Sequence, residues 1–484
     1  MESSRLEDWL AQRLTIGVTG FARSGKTVFI TSFAHALISF AAFQNQPGQG
    51  PLTGFSLAQQ KRLRSVRVRD DLSPTYPHFP FRAMRDALLG RIPAWPTPTE
   101  GISRLILEIE YEPDHVNQSG FWLPFSRASH ACRTKIIGRP HLQLELVDYP
   151  GEWLMDLALL DKEYDAWSED MWQLAISGRR ARMSEGFRSL VASLPSDTNA
   201  DEDIIIALTA EWKNYLKAAL DEGLPFNQPG RLLRPGPEGK HAPVLRFAPI
   251  PNQFGLPRLR KVLRKRFKLY QDELARPFFK MHFAKMDRQV VLVDIVRVLS
   301  QRYGDKHLTL QEREETFKEF SEALRLSLSA FRYGQGTLLS GIQGNRTNKA
   351  LFVATKADHV VRGDRVHLER LLGNILHLIG EHQRISQETS DAAIMALASV
   401  RATHDMREQN SPYRELLSGR RAGEPEPLLR DPGAIPLDFP INWEELAFEY
   451  AAFEPLPMLS ALQEGFPAIN LGKAIEFLIG NDCK

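Results

Sequence analysis

Short apolar runs, each closed by a turn rich in glycine or small polar residues, alternate along this chain with longer stretches whose apolar residues recur at helical spacing. Leu14–Gly20 is an apolar, partly β-branched run. His141–Val147 alternates polar and apolar side chains, and Leu105–Tyr111 and Gln289–Val296 read as strands. Ala350–Ala354 is continuously apolar, the pattern of a parallel strand covered on both faces, and Ala392–Met395 is a shorter version of it. Val28–Phe43 is the longest apolar stretch. It is shorter than the roughly 20 residues that span a bilayer and contains Thr31, Ser32 and His35, so it predicts a buried helix. Between about Met155 and Lys280 helical periodicity dominates, as in WSEDMWQLAISGRRARMSEGFRSLVASL and IIIALTAEWKNYLKAAL. Strands alternating with helices predict an α/β fold with a mostly parallel sheet.

Composition adds little to this picture. The 484 residues exceed the usual size of one domain, so a core domain with insertions or a second lobe is expected. A formal charge of +2 gives no general field for nucleic acid or membrane, and no strong nucleic-acid signal stands out. Two cysteines, Cys132 and Cys483, are too few for a disulfide framework, and the polar start MESSRLEDWLAQRL lacks the apolar core of a secretory signal. A cytoplasmic setting is expected. Gly423–Pro440, rich in proline and glycine, reads as a linker or extended surface segment.

The chemistry is concentrated in the turns. After the first strand comes Gly20-Phe21-Ala22-Arg23-Ser24-Gly25-Lys26-Thr27-Val28, a G-x-x-x-x-G-K-[ST] loop leading into the apolar helix. Average composition yields such a match by chance roughly 0.02 times in a chain of this length, so the loop is read as a phosphate cradle. Its backbone N–H groups face phosphate at a helix N-terminus, Lys26 reaches the terminal phosphates, and the Thr27 hydroxyl is a ligand for Mg²⁺. Arg23 either adds positive charge to the transition state or points to solvent.

Asp148-Tyr-Pro-Gly151-Glu152 follows a strand, which lifts an otherwise common D-x-x-G pattern. There Asp148 would hold Mg²⁺ through water and the Gly151 N–H would read the terminal phosphate. Thr355-Lys356-Ala357-Asp358 follows another strand. The Asp358 carboxylate offers acceptors for the ring N–H and amine of guanine, a donor pair adenine lacks, and the Lys356 stem would pack over the base. The segment from Ala396 to Thr403, with Ser399 and Val400, is a further candidate base-contacting loop. Thr97 and Thr99, in the Pro-rich turn before Leu105–Tyr111, are alternative hydroxyl ligands for Mg²⁺. GTP or GDP with Mg²⁺ is therefore the expected ligand set.

The segments GFARSGKTVF, DYPGEW, TKAD and DRQVVLVD resemble the YcjX family of stress-associated bacterial P-loop GTPases, over nearly the whole chain. The resemblance implies a Ras-like nucleotide domain enlarged by helical insertions and a C-terminal extension, and a stress role whose protein partner is unknown. Many GTPases carry Gln after D-x-x-G to orient the attacking water, whereas this chain has Glu152. That carboxylate is expected to be protonated, turned away, used as a base, or to serve simply as an N-terminal helix acid. Lys26, Gly151 and Glu152 are the candidate catalytic residues. A P-loop ATPase and a nucleotide-stabilised scaffold without turnover are the competing readings.

The motif spacing far exceeds the roughly 30 residues of a strand-helix-strand unit. The expected layout is a first part of the nucleotide domain over 1–154 with an insertion near 44–95, a helical lobe over 155–280, a second part of the nucleotide domain over 281–404, and an extension over 405–484. Leu57–Asp71 in the first insertion carries Lys61, Arg62, Arg64, Arg67 and Arg69. Asp294 is read as an edge or positioning residue. Pro257–Tyr270 (PRLRKVLRKRFKLY) predicts a basic amphipathic helix, which either packs on its own domain or meets an anionic membrane surface peripherally, at the inner membrane.

Overall fold

The computed structural model describes residues 12–45, 50–69, 77–97, 101–113, 140–236, 243–330, 349–380, 391–408, 411–424, 426–437, 439–457 and 465–483. At its centre lies a seven-stranded sheet: β1 (Gln12–Gly20), β2 (Leu63–Arg69), β3 (Ser103–Tyr111), β4 (His141–Asp148), β5 (Arg288–Val293), β6 (Lys349–Thr355) and β7 (Asp391–Leu397). Their order is β2-β3-β4-β1-β5-β6-β7. Only the β2/β3 and β3/β4 pairs are antiparallel; β4/β1, β1/β5, β5/β6 and β6/β7 are parallel.

The period of two sorts the core. Val290 and Leu292 of β5, Ile16 and Val18 of β1 and Leu351 and Val353 of β6 enter one face, beneath the helices α1 (Lys26–Ile38) and α12 (Leu471–Ile479). Val291, Val293, Phe352 and Ala354 enter the other, against α10 (Leu310–Ser329) and α11 (Arg365–Leu378). With every residue of β6 buried, the continuous apolar pattern of its sequence has the physical cause expected of a doubly covered strand.

The segment expected as an insertion contributes to the sheet. β2 pairs with β3, and its basic residues are answered across the ladder, Arg67 by Glu110 and Arg69 by Glu108, which charges an outer strand that would otherwise invite further pairing. The helix α2 (Phe81–Leu89) follows it.

Between β4 and β5 the chain is helical. It runs through α3 (Glu152–Leu157), α4 (Tyr164–Ala175), α5 (Glu185–Ser193), α6 (Glu202–Asp221), α7 (Pro257–Tyr270) and α8 (Arg276–Met281) around an aromatic core in which Trp167 stacks on Phe267 at 5.0 Å. The buried Arg180 joins this lobe to α10 through a two-pronged pair with Glu319, both contacts at 2.7 Å. The basic helix α7 has the ends predicted from the sequence. Its apolar residues Leu259, Leu263, Phe267 and Tyr270 are buried in the lobe, Arg260 and Arg264 pair with Asp165, and Arg266 pairs with Glu202.

One expectation is corrected and another is made specific. The strand expected over Gln289–Val296 stops at Val293, because the Asp294 side chain accepts the Arg297 N–H and starts the helix α9 (Ile295–Leu299). Gly423–Pro440, read as a linker or an extended surface segment, is extended in part: Leu428–Arg430 is β10, which with β8 (Thr403–Glu408) and β9 (Ser411–Gly419) forms a small antiparallel sheet. No helix among the described residues is long and apolar enough to cross a membrane.

Candidate functional site

The chain leaves β1 toward β3 and β4 and then crosses to β5 on the opposite side of β1. In an open α/β sheet, the crevice outside the carboxyl ends of the strands at such a reversal is where ligands bind. The loops carrying the sequence motifs follow β1, β4, β6 and β7, and so emerge at this edge.

Gly20 closes β1 where no side chain fits: a Cβ there would lie 2.4 Å from the Ser24 Oγ and 2.5 Å from the Leu292 carbonyl oxygen. Arg23 (φ 67°) and Gly25 (φ 94°) are left-handed on either side of the buried Ser24, and the loop curls so that the Ser24 N–H donates back to the Phe21 carbonyl at 3.1 Å, just before α1. Arg23 itself is exposed. The Phe21 ring meets Phe320 of α10 edge-on at 6.3 Å. Thr27 is buried in the first turn of α1, and Val28 packs beside Leu88, Val400 and Phe466.

The donors of this loop are engaged within the protein. The Lys26 amine donates to the Gly20 carbonyl at 2.6 Å. The same carbonyl accepts the Gly151 N–H at 3.2 Å. Glu152, the first residue of α3, is 3% exposed and accepts the Ala22 N–H on its Oε1 at 2.9 Å. Asp148 is fully buried at the end of β4, in register with Val18 of β1 and Ser103 of β3. Its neighbour Tyr149 is buried too and donates its hydroxyl to Gln289 of β5 at 2.6 Å.

At the end of β6 the Thr355 hydroxyl donates to the Val293 carbonyl. Lys356 is left-handed (φ 60°), an uncommon state for a long side chain. Its amine lies 2.5 Å from the Asp294 carboxylate and 3.3 Å from the Tyr450 hydroxyl. Burial works against its charge, but Asp294 and Tyr450 outweigh it and hold its pKa above the ordinary lysine value. Asp358 is 2% exposed; its carboxylate accepts the Ala402 N–H at 2.7 Å, and its carbonyl accepts the Thr403 hydroxyl. The Ser399 carbonyl accepts the Ser32 hydroxyl at 2.5 Å, which ties the loop after β7 to α1.

Of the two threonines before β3, Thr97 is exposed and Thr99 lies outside the described residues, as does Cys132. Trp95, two positions before Thr97, donates its indole N–H to the Phe453 carbonyl at 2.7 Å. Sequence reasoning reached Asp294 only as an edge or positioning residue. It placed Ala402 within the candidate base-contacting loop from Ala396 to Thr403 without its bond to Asp358, and it missed Tyr450, which comes from the C-terminal segment.

The sheet order, the glycine-bounded loop from β1 into α1 and the D-x-x-G turn after β4 define a P-loop protein of Ras-like type. The family model described as YcjX-like family, DUF463, matches residues 14–483, and the chain belongs to that family. It is 32% identical over 486 residues to the Ras-like GTPase YcjX of Escherichia coli (strain K12), covering 98% of this chain and 96% of the relative. It is 29% identical over 492 residues to the Ras-like GTPase YcjX of Shewanella oneidensis, covering 97% and 94%.

Proposed function

We propose that this chain binds GTP and GDP with Mg²⁺, hydrolyses GTP slowly, and acts as a nucleotide-dependent switch in a bacterial stress response. The observation that carries the guanine reading is Asp358, whose buried carboxylate is held by the Ala402 N–H at the carboxyl edge of the sheet that bears the phosphate loop. A fixed pair of acceptor oxygens suits the N–H and amine of guanine, and adenine presents no such donors. The names of the relatives support the same nucleotide. The stress setting rests on the family resemblance.

The cradle fits a nucleotide phosphate, since Gly20 leaves no room for a side chain and left-handed residues curl the loop. Thr27 and Asp148 are oxygen donors of the kind a hard cation takes, with Thr97 or Thr99 as the further hydroxyl. Bound there, Mg²⁺ would neutralise charge on the terminal phosphates.

The switch follows from where the donors now go. Lys26 and Gly151 share the Gly20 carbonyl and Ala22 is taken by Glu152, so a triphosphate draws all three donors toward itself and displaces the Glu152 carboxylate. Freed, Glu152 is positioned to act as a base toward water or to withdraw. Movement of α3 reaches the lobe directly: Asp156, one turn along, accepts the N–H groups of Gly230 and Arg231, and a Cβ on Gly230 would lie 2.5 Å from the Glu152 carbonyl. The lobe thereby offers a protein partner a surface that depends on the nucleotide.

Calorimetric titration with GDP and ADP, repeated on Lys26→Ala and on Asp358→Asn with xanthosine diphosphate, tests this reading. GDP should bind far more tightly than ADP, Lys26→Ala should weaken both, and Asp358→Asn should shift preference to the xanthine nucleotide. Equal affinity for ADP and GDP would overturn the guanine assignment.

A further inference from the structure

The C-terminal segment brings one aromatic side chain into the base-reading half of the site. The Tyr450 N–H donates to the Ser300 hydroxyl at 3.0 Å, and the Phe448 carbonyl accepts the Gln301 N–H at 2.9 Å, so the backbone around Tyr450 is held against the turn that ends α9. From there the ring reaches Lys356 within the TKAD turn and His359 just after it. The Lys356 amine stands 4.7 Å from the ring centroid and 3.3 Å from its hydroxyl, and the His359 ring stacks on Tyr450 at 4.9 Å with 23° between planes. Lys356 and His359 bracket Asp358 in sequence. Asp294 holds the same amine from the other strand end at 2.5 Å.

We propose that Tyr450 is a positioning residue for guanine recognition: with Asp294 it pins the Lys356 amine, so that the lysine stem stands as a fixed platform beside Asp358. The inference rests on the guanine reading above and extends it to a residue from outside the nucleotide motifs. A lysine side chain has four rotatable bonds, and a platform made of it is useful only if those rotations are stopped before the base arrives. An ion pair with Asp294 fixes one end by charge alone. The Tyr450 ring adds a flat cation-binding face, and its hydroxyl an acceptor, which together define a direction. The backbone points the same way, since Lys356 is held left-handed, a state that persists only where its surroundings enforce it. Burial lowers the His359 pKa, so the ring against Tyr450 is the neutral imidazole, which stacks without competing for the lysine's carboxylate.

The test is calorimetric binding of GDP, ADP and magnesium tripolyphosphate to the full chain and to Tyr450→Ala and Tyr450→Phe. Tripolyphosphate engages the phosphate loop and has no base, so it reports folding and phosphate binding alone. Tyr450→Ala should weaken GDP about tenfold, the loss of one cation–π contact and one hydrogen bond, and leave tripolyphosphate within about twofold. Tyr450→Phe keeps the ring and should lose only about threefold for GDP; it decides the matter if the alanine variant does not fold. Parallel losses for GDP and tripolyphosphate, or unchanged GDP binding, with a wild type that prefers GDP over ADP, would overturn the positioning role alone. A wild type with no such preference would overturn the guanine reading, and this inference with it.

Discussion

The Glu152 carboxylate accepts a hydrogen bond from the Ala22 backbone N–H at 2.9 Å, so the residue that follows the D-x-x-G turn occupies a donor of the glycine-bounded loop after β1. On the proposed reading, a carboxylate there stands in for a phosphate oxygen, with the same charge sign and the same acceptor chemistry. Removing its charge should favour the nucleotide with more charge at that point. Glu152→Gln is expected to tighten a non-hydrolysable GTP analogue about fivefold relative to GDP, the scale of one charge-assisted contact of about 1 kcal/mol. Equilibrium titration with fluorescent nucleotides reads the ratio, and an unchanged ratio would sink the competition. Single-turnover hydrolysis of the same variant separates a base, whose loss slows turnover, from an occupant.

Gly151 is required by contact with the loop. A Cβ there would fall 2.6 Å from the Gly20 carbonyl carbon and 2.7 Å from its oxygen, both backbone atoms with nowhere to go. Gly151→Ala should therefore destabilise the protein by about 1–3 kcal/mol, as overpacking does, and weaken triphosphate binding more than diphosphate binding. Thermal unfolding beside nucleotide titration would show it; a variant as stable as wild type would mean that the turn yields easily.

Asp156 gives the link between α3 and the lobe a pH dependence. Burial, partly offset by the Tyr270 hydroxyl and the Gly230 and Arg231 N–H groups, raises its pKa to about 6 from the ordinary aspartate value of 3.8. A raised acid favours the folded state in its protonated form, so its contribution is complete below the unfolded pKa and is lost as pH rises through about 6. Between pH 4 and 6.5 wild type should lose roughly 2 kcal/mol relative to Asp156→Asn, on the scale of 1.36 kcal/mol per unit of pKa. Denaturant unfolding of both proteins at several pH values measures the difference, and parallel curves would refute the assignment.

The charges of α7 are of two kinds. Arg260 is buried and pairs with Asp165, whereas Lys261 and Lys265 are exposed. Arg260→Glu should cost about 1–3 kcal/mol, since it leaves the buried Ile250 carbonyl without its donor and sets a carboxylate beside the half-exposed Asp165, while Lys261→Glu with Lys265→Glu should leave the melting temperature nearly unchanged. Because the double variant folds, flotation with anionic vesicles becomes a clean reading of membrane attachment: loss of flotation assigns these lysines to lipid, and identical flotation removes them.

The strands and the phosphate loop were legible in the sequence because their physical causes are local. A strand buried on both faces has to be apolar throughout, as Ala350–Ala354 is, and a loop that curls its N–H groups inward needs glycine where a Cβ would collide. The end of β5 was misread because Ile295 and Val296 continue a β-branched pattern, and only the capping geometry of Asp294 shows that the strand has stopped. Ala402 lay within the candidate loop from Ala396 to Thr403, but its bond to Asp358 left no trace, since a backbone N–H belongs to every residue but proline. Nor did Tyr450, because its partners lie in another part of the chain and nothing local marks which tyrosine will stack on His359.

The place of β1 in the sheet also governs how the molecule can assemble. It is flanked by β4 and β5, and among its contacts Thr15 meets Asp287, 272 positions along the chain. The β5 side of the first strand cannot be completed until the strand beyond the helical lobe has arrived, so the loop that follows this strand takes its final shape late. Folding dominated by such distant pairing is slow. A chain emerging from the ribosome would carry its phosphate loop unfinished while the whole lobe is made, and the capacity to bind nucleotide would appear only after β5 has docked.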